Sequence, residues 1–510
     1  MGATDPLPLI PSRREGCVFA VIFITFLLVL VYGRAILQNE FVEWDDGLLI
    51  LNNPIIQELN WDNIKTAFTS YDPELYIPLT FLSYQLDYAI WGLNPIGFHL
   101  TNLLLHIGNA FLIVWFLKRL GWRWAIFGGA LFAIHPLNTE AVMWASARKD
   151  LLMGLFFLWS LNLYLVGRKH LSLAAFLLAC LAKVTAVMLP FILLLIDWRA
   201  FSLSRRERDR VRGSERAYVL QKMPYFFISI LFIIIALFGK AGSHGLWWEK
   251  VLIGSKATMF YLQKLFWPTG LSVLYPYTQK IALSNPDLLV PLILFCFVTL
   301  IVGYEFVRAP RSSFWSEVGF GWFFFLLLLA PSFTNFAKGQ DILKDVYFAS
   351  DRYAYLASIG IPYVTVLFLS HIPCPVPRQA RDKLRIERSG VGIIGLFGIL
   401  GLFSFLSYHQ SLVWQTTESL FTNVVQHYPD SHVAQNNLGS LYYRRGETDR
   451  AIEKYKESLN IRPNATAFFN LGVIYRDNGY PAIAREAFIQ TIKLHPADEE
   501  AKRNLEALGI

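Results

Sequence analysis

Cys17–Gly47 reads CVFAVIFITFLLVLVYGRAILQNEFVEWDDG, and the change of character between its first part and its last decides how the whole chain is read. From Cys17 to Leu37 the only charged residue is Arg34. About 20 mostly apolar residues are what an α-helix needs to cross a bilayer, and a solid run of this kind is unlike the alternation of a barrel strand. Arg13 and Arg14 precede the run, while Glu40, Glu43, Asp45 and Asp46 follow it. Positive residues stay on the cytoplasmic side, so the helix starts inside and the acids emerge outside. No small-residue cleavage pattern follows, which makes the run a retained first span and not a signal peptide.

The other residues fit the same solvent. Of 510 residues, 54% are hydrophobic and 16% charged, too apolar for a soluble enzyme of this length. Further runs at Leu288–Val307 and Gly390–Tyr408 are long enough to span. The net charge of +8 comes from two loops, Arg199–Lys222 with eight Lys/Arg against three acids and Pro373–Arg388 with five against two. These are cytoplasmic loops under the positive-inside rule, so the basic balance reports topology and no nucleic-acid partner is expected. Cys17, Cys180, Cys296 and Cys374 lie in or beside apolar segments, without zinc spacing or a disulfide framework.

Carried along the chain, this bookkeeping predicts an all-α, polytopic bundle of about eleven spans. The segment 38–95 is an acidic extracytoplasmic loop, and 135–150 returns to the same surface. Leu171–Trp198 is one long apolar stretch with inside-type charge at both flanks, so it is predicted to be two short helices meeting near Ala182–Val184, with Lys183 at the tip. Irregular backbone at membrane depth survives only where protein or a wet cavity covers it, so this break should line a site. Ala241–Asn285 is Trp-rich and amphipathic, suited to the outer interface.

After the last span the pattern changes. Leu438, Gly439, Tyr442, Ala451, Tyr455 and Pro463 recur 33 residues later as Leu471, Gly472, Tyr475, Ala484, Phe488 and Pro496. This is close to the tetratricopeptide period of about 34, in which small residues let paired helices approach and aromatics fill between them. The expected division is a membrane domain over 1–415 and an extracytoplasmic repeat domain over 416–510. The latter comprises a half-repeat (416–431), two repeats (432–464 and 465–497) and a polar capping helix (498–510). Such stacks offer a concave groove for a polypeptide.

Several polar residues then stand out. Asp45 and Asp46 sit where the first span meets the outer interface; a carboxylate pair there can act as general base towards a hydroxyl or hold a divalent cation, Mg or Mn, beside a phosphate. A solvated turn is the bland alternative. His99, Asn102 and His106 share one face of the second span, as cavity lining or as interhelical glue. His135 and Glu140, with Arg148 and Lys149, concentrate polarity in the next outer segment. Arg148 and Lys149 break the positive-inside trend, so they answer either a phosphate or carboxylates elsewhere in the fold. Lys183 and Arg352 are similar anomalies, with Asp351 beside Arg352 either as a site residue or as its counter-charge.

Taken in order, Trp44-Asp45-Asp46, Tyr76–Leu79, Gly97–His106, His135–Glu140, Arg148–Leu152, Lys183 with Pro190 and Asp197-Trp198, and Asp351–Tyr353 resemble the transmembrane and tetratricopeptide-repeat containing O-mannosyltransferases and their bacterial relatives of the GT-C fold. The resemblance implies a polyprenyl-phosphate sugar donor, an inverting transfer and a catalytic acid at Asp45 or Asp46. Arg148, Lys149, Lys183 and Arg352 are then candidates for the donor phosphate. A hydroxyl acceptor follows, Ser or Thr of a polypeptide docked on the repeats; a lipid or glycan acceptor, or a non-enzymatic scaffold, are the competing readings. The small repeat array favours a bacterial inner membrane with periplasmic repeats over an endoplasmic reticulum with lumenal ones.

Overall fold

The computed structural model describes residues 13–71, 75–122, 124–201, 220–239, 247–310, 313–334, 346–371 and 381–509. Most of the first basic loop and part of the second, with Asp72, Glu74 and Cys374, lie outside them. Helices dominate. α1 (Arg13–Gln38) leads to α2 (Trp61–Thr69) and α3 (Pro78–Trp91), then α4 (Pro95–Arg119), α5 (Ala125–Ala133), the short α6 (Thr139–Met143) and α7 (Arg148–Leu165). α8 (Lys169–Ala182), α9 (Leu189–Phe201), α10 (Met223–Gly239) and α11 (Trp247–Phe266) follow, then α12 (Pro286–Arg308), α13 (Phe314–Leu329), α14 (Gly360–His371) and α15 (Arg381–Val413). The strands among the described residues are β1 (Pro276–Tyr277) and β2 (Val346–Tyr347), paired antiparallel.

The runs at Leu288–Val307 and Gly390–Tyr408 lie within α12 and α15. Five stretches are long and apolar enough to span by length and composition: Ala20–Gln38, Pro95–Arg119, Pro286–Arg308, Phe314–Phe333 and Gly395–Val413. The others, such as Lys169–Ala182 and Met223–Gly239, are shorter. Phe26, Leu30, Phe227, Ile230, Leu300 and Val307 face outward, more than half exposed. So much outward apolar surface suits lipid and would be costly in water.

The loop after α1 is more than a polar tether. It holds α2 and α3, and Leu49, Ile50, Ile77 and Phe81 form a small core of their own with Phe98 of α4. The break in the 171–198 stretch is present. α8 stops at Ala182, Lys183 is extended (φ −161°, ψ 132°), a tight turn covers Val184–Met188, and α9 resumes at Leu189. The carbonyl freed at Ala182 accepts a hydrogen bond from Thr80 Oγ1 of α3 at 3.1 Å, so protein covers the break.

The C-terminal helices are α16 (Thr417–His427), α17 (His432–Arg444), α18 (Thr448–Ile461), α19 (Ala465–Asp477), α20 (Pro481–Leu494) and α21 (Glu499–Ala507). The repeated glycines have a steric reason. A Cβ at Gly439 would lie 2.9 Å from the Tyr455 ring, and one at Gly472 2.7 Å from Phe488. The repeats join the membrane part at the loop after α1: Glu43 N–H donates to Thr417 Oγ1 (2.9 Å), Glu40 N–H to the Gln415 carbonyl (2.9 Å), and Trp44 packs edge-on against Phe421.

Candidate active site

Asp45 and Asp46 are neighbours in sequence with opposite surroundings. Asp46 is fully buried. Its Oδ2 accepts the Val42 N–H at 3.0 Å, and its Oδ1 accepts both the N–H of Ser146, at 2.9 Å, and the Ser146 hydroxyl. It therefore ties the loop after α1 to the segment before α7. Burial pushes its carboxyl up to about 7, although those hydrogen bonds pull the other way. The Asp45 side chain keeps 39% of its surface exposed and stands 3.9 Å from Lys149 Nζ. At that separation the two charges attract without being locked in a hydrogen bond.

The cations divide similarly. Arg148 is wholly buried: Nε donates to Asn102 Oδ1 (2.6 Å), Nη2 to the Phe98 carbonyl (2.7 Å), and Nη1 pairs with Asp87 (2.6 Å). Expected at a phosphate, it is instead spent on α3 and α4, so of the two readings that the sequence leaves for it, carboxylates elsewhere in the fold match its placement. Lys149 lies over the Trp144 ring, as does Arg352, whose guanidinium carbon is 4.8 Å from the ring centroid. Trp414, at the end of α15, stacks on Trp144 and fixes the platform. Arg352 Nη1 donates to Glu140 Oε1 and Lys183 Nζ to Asp150 Oδ1, each at 2.5 Å. Lys149, Lys183 and Arg352 thus converge at one end of the bundle with Asp45, and Arg148 stands behind them.

The remaining candidates hold this end together. His106 bridges the Tyr355 hydroxyl (Nδ1, 2.7 Å) and the Ala133 carbonyl (Nε2, 2.8 Å). With Nε2–H donating to the carbonyl, Nδ1 is left to accept from the tyrosine. Asn102 donates to the Trp144 carbonyl (2.9 Å) and accepts from Arg148, while His99 Nε2 is 3.4 Å from the Glu40 carbonyl. His135 caps its own turn by accepting the Leu137 N–H and reaches the Leu265 carbonyl at 3.0 Å. These four residues act as glue between elements. Glu140 Oε2 accepts the Asp351 N–H, and Asp351 Oδ1 accepts from Tyr275 at 2.7 Å. Burial first, then the charge of Glu140, holds the Asp351 carboxyl well above the usual carboxylate range.

A divalent cation at Asp45 and Asp46 does not fit this arrangement. Both oxygens of Asp46 already accept hydrogen bonds, a lysine and not another carboxylate stands beside Asp45, and no group of three or more His, Cys, Asp or Glu ligands converges among the described residues. Sequence reasoning passed over Ser146, Trp144 and the pairing of Asp87. Asp87 was visible only as one more acid in an acidic loop, and its burial against Arg148 could have been sought from the unbalanced arginine.

Comparison with known proteins agrees with the motifs. A family model described as "TPR repeat" matches residues 439–479. Human "Protein O-mannosyl-transferase TMTC1" is 25% identical over 92% of this chain and 58% of its own length. "Protein O-mannosyl-transferase F38B6.6" of Caenorhabditis elegans is 23% identical over 91% of this chain and 66% of its own. Mouse "Protein O-mannosyl-transferase TMTC2" is 37% identical over a shorter stretch, 27% of this chain and 17% of that one. The chain therefore spans about 58% of the human relative and is similar to the human and Caenorhabditis elegans proteins along most of its own length. Among solved structures, ArnT from Cupriavidus metallidurans bound to undecaprenyl phosphate covers 94% of this chain and 81% of its own, with 14% identity and a TM-score of 0.35, too loose a superposition for residue correspondences.

Proposed function

We propose that this chain is a membrane glycosyltransferase that moves a sugar from a polyprenyl-phosphate donor to a hydroxyl acceptor, Ser or Thr of a polypeptide, on the extracytoplasmic face. The observation that carries the reading is Asp45: a carboxylate open to solvent, 3.9 Å from Lys149, at the bundle end where Lys183 and Arg352 also gather. The names of the relatives support transfer to a protein hydroxyl.

Asp45 takes the proton of the acceptor hydroxyl as its oxygen bonds to the anomeric carbon. The bond from that carbon to the phosphate oxygen breaks with its electron pair leaving on the phosphate, and attack from the opposite face inverts the centre. The departing phosphate gains a negative charge, which Lys149 and Arg352 offset, with Lys183 behind them. Arg148 and Asp46 position this apparatus without touching substrate. The repeats, joined to the Asp45 loop through Thr417 and Phe421, present the acceptor polypeptide. No step requires a metal.

The test is Asp45→Asn, reconstituted in lipid with a polyprenyl-phosphate-linked sugar and an acceptor peptide. Transfer should fall about 10²–10⁴-fold, the usual contribution of a general base, with thermal stability close to that of the parent. Full transfer by folded Asp45→Asn would remove the assignment.

A further inference from the structure

Trp414, Phe421 and Tyr428 stand seven residues apart at the entry to the repeats, and each lays a ring against a ring of the loop end: Trp144, Trp44 and Tyr275 in turn. The first two contacts back the floor under Lys149 and Arg352 and the residue before Asp45. The third falls on a residue that the proposed chemistry has not used. Tyr275 is fully buried in the segment between α11 and α12. Its hydroxyl accepts the Ser272 N–H at 2.9 Å and donates to Asp351 Oδ1 at 2.7 Å, and its carbonyl accepts the Phe348 N–H at 3.2 Å. One residue therefore grips both ends of the stretch 348–351 that delivers Arg352.

Glu140 fixes Arg352 from the other side. Its Oε1 accepts the guanidinium at 2.5 Å and its Oε2 the Asp351 N–H at 3.2 Å, so the place of the guanidinium is tied to the Asp351 backbone. A cation that meets charge developing on a leaving group works only at a set distance, because the attraction falls off with separation. The half-repeat reaches this assembly at two points. Asn423 Nδ2 of α16 donates to the Leu271 carbonyl at 3.0 Å, beside Ser272, and Tyr428 meets the Tyr275 ring edge-on with centroids 5.5 Å apart. Both contacts come from residues that precede the first full repeat.

We infer that Tyr275 is a positioning residue for Arg352, and that the half-repeat holds Tyr275 in that role through Asn423 and Tyr428. The inference rests on the donor reading above, in which Arg352 offsets the charge of the departing phosphate. It gives residues 416–431 a part on the donor side of the reaction, separate from the acceptor that the repeats present.

The test uses the full chain in lipid, with sugar-free polyprenyl phosphate as the probe, because that lipid carries the charge the leaving group gains. Tyr275→Phe keeps the ring and removes the hydroxyl. It should weaken probe binding about tenfold, the order of one buried hydrogen bond, and lower kcat similarly, with KM for the acceptor peptide as in the parent. In an Arg352→Gln background the same change should have no further effect, since Tyr275 acts through Arg352. Tyr428→Ala should weaken the probe about threefold, as expected for one aromatic pair, and Tyr428→Phe, which keeps the ring, should behave as the parent. The Tyr428 variants carry the test if Tyr275→Phe does not fold. Unchanged probe affinity in folded Tyr275→Phe or in Tyr428→Ala overturns the inference, as does an equal loss when Tyr275→Phe is added to Arg352→Gln, which would make the hydroxyl a prop for the fold alone. If Arg352→Gln by itself leaves probe affinity and transfer as in the parent, the donor reading of Arg352 fails first, and this inference with it.

Discussion

The two ends of the helical bundle both carry buried charge, and they use it differently. At the end where α4 finishes, Arg199 Nε reaches both oxygens of Glu317 (3.1 and 2.9 Å), its Nη2 donates to the Leu120 carbonyl, and Tyr363 donates to Glu317. Nearby, Lys222 and Tyr164 both reach Asp197. These cations meet carboxylates at hydrogen-bond distance, with tyrosines and a carbonyl completing the sets. At the loop end, Lys149 stands off from a partly exposed Asp45, and Asp150 keeps an oxygen without a hydrogen-bond partner among the described residues. Burying charge is costly in either place. The closed set repays that cost within the fold; at the loop end Asp45 and Lys149 are left able to meet a ligand.

The largest consequence of this contrast concerns Arg199. Removing one partner of a buried pair leaves the other charge uncompensated, at a cost of about 3–5 kcal/mol. Arg199→Ala should therefore lower thermal stability in lipid sharply while the folded fraction keeps the transfer rate of the parent. A loss of rate per folded molecule exceeding the loss of folded protein would show that the closed end also serves the chemistry, and the division would fail.

A smaller effect is expected from Asp46, which belongs to the loop end and yet is satisfied like the far end. Its carboxyl titrates near 7 in the fold, against an ordinary value of 3.8. A carboxyl raised on folding adds stability in its protonated form; that contribution is complete below about pH 4 and is lost as pH rises through 7. Parent melting temperature should fall between pH 5 and pH 8 on this account. Asp46→Asn cannot ionise and should flatten that slope, although it sets an amide against the Val42 N–H and melts lower at pH 5. An unchanged slope in Asp46→Asn would mean that Asp46 is already ionised in the fold.

What could be read from sequence follows from the range of the interactions involved. The acid pair after the first span, the break at Lys183 and the small residues at Gly439 and Gly472 are local signals, and the structure shows the break and the close helix pairs where the local pattern predicts them. Which aspartate faces solvent was not legible, because Asp46 is chosen by Ser146, 100 residues away along the chain. Arg148 misled for the same reason: its anomalous charge signalled a partner, and nothing local distinguished Asp87 from a phosphate. The histidines of α4 announced a polar face, yet only the positions of Tyr355 and Ala133 show that face to be closed.

The least effect is expected where the repeats meet the loop. Arg444 of α17 pairs with Glu43, one residue before Trp44, but the two side chains are 51% and 38% exposed. An exposed pair is worth about 0–1 kcal/mol and is screened by salt. The same junction also has the backbone hydrogen bonds from Glu40 and Glu43 to Gln415 and Thr417, and the packing of Trp44 on Phe421, none of which depends on charge. Arg444→Ala should thus change transfer less than about twofold and leave its salt dependence as in the parent. A much larger fall in transfer at unchanged stability would mean that the repeats hold the Asp45 loop by charge. The junction would then belong with the open set of groups at the loop end, and occupancy of the repeat groove would act directly on the acid.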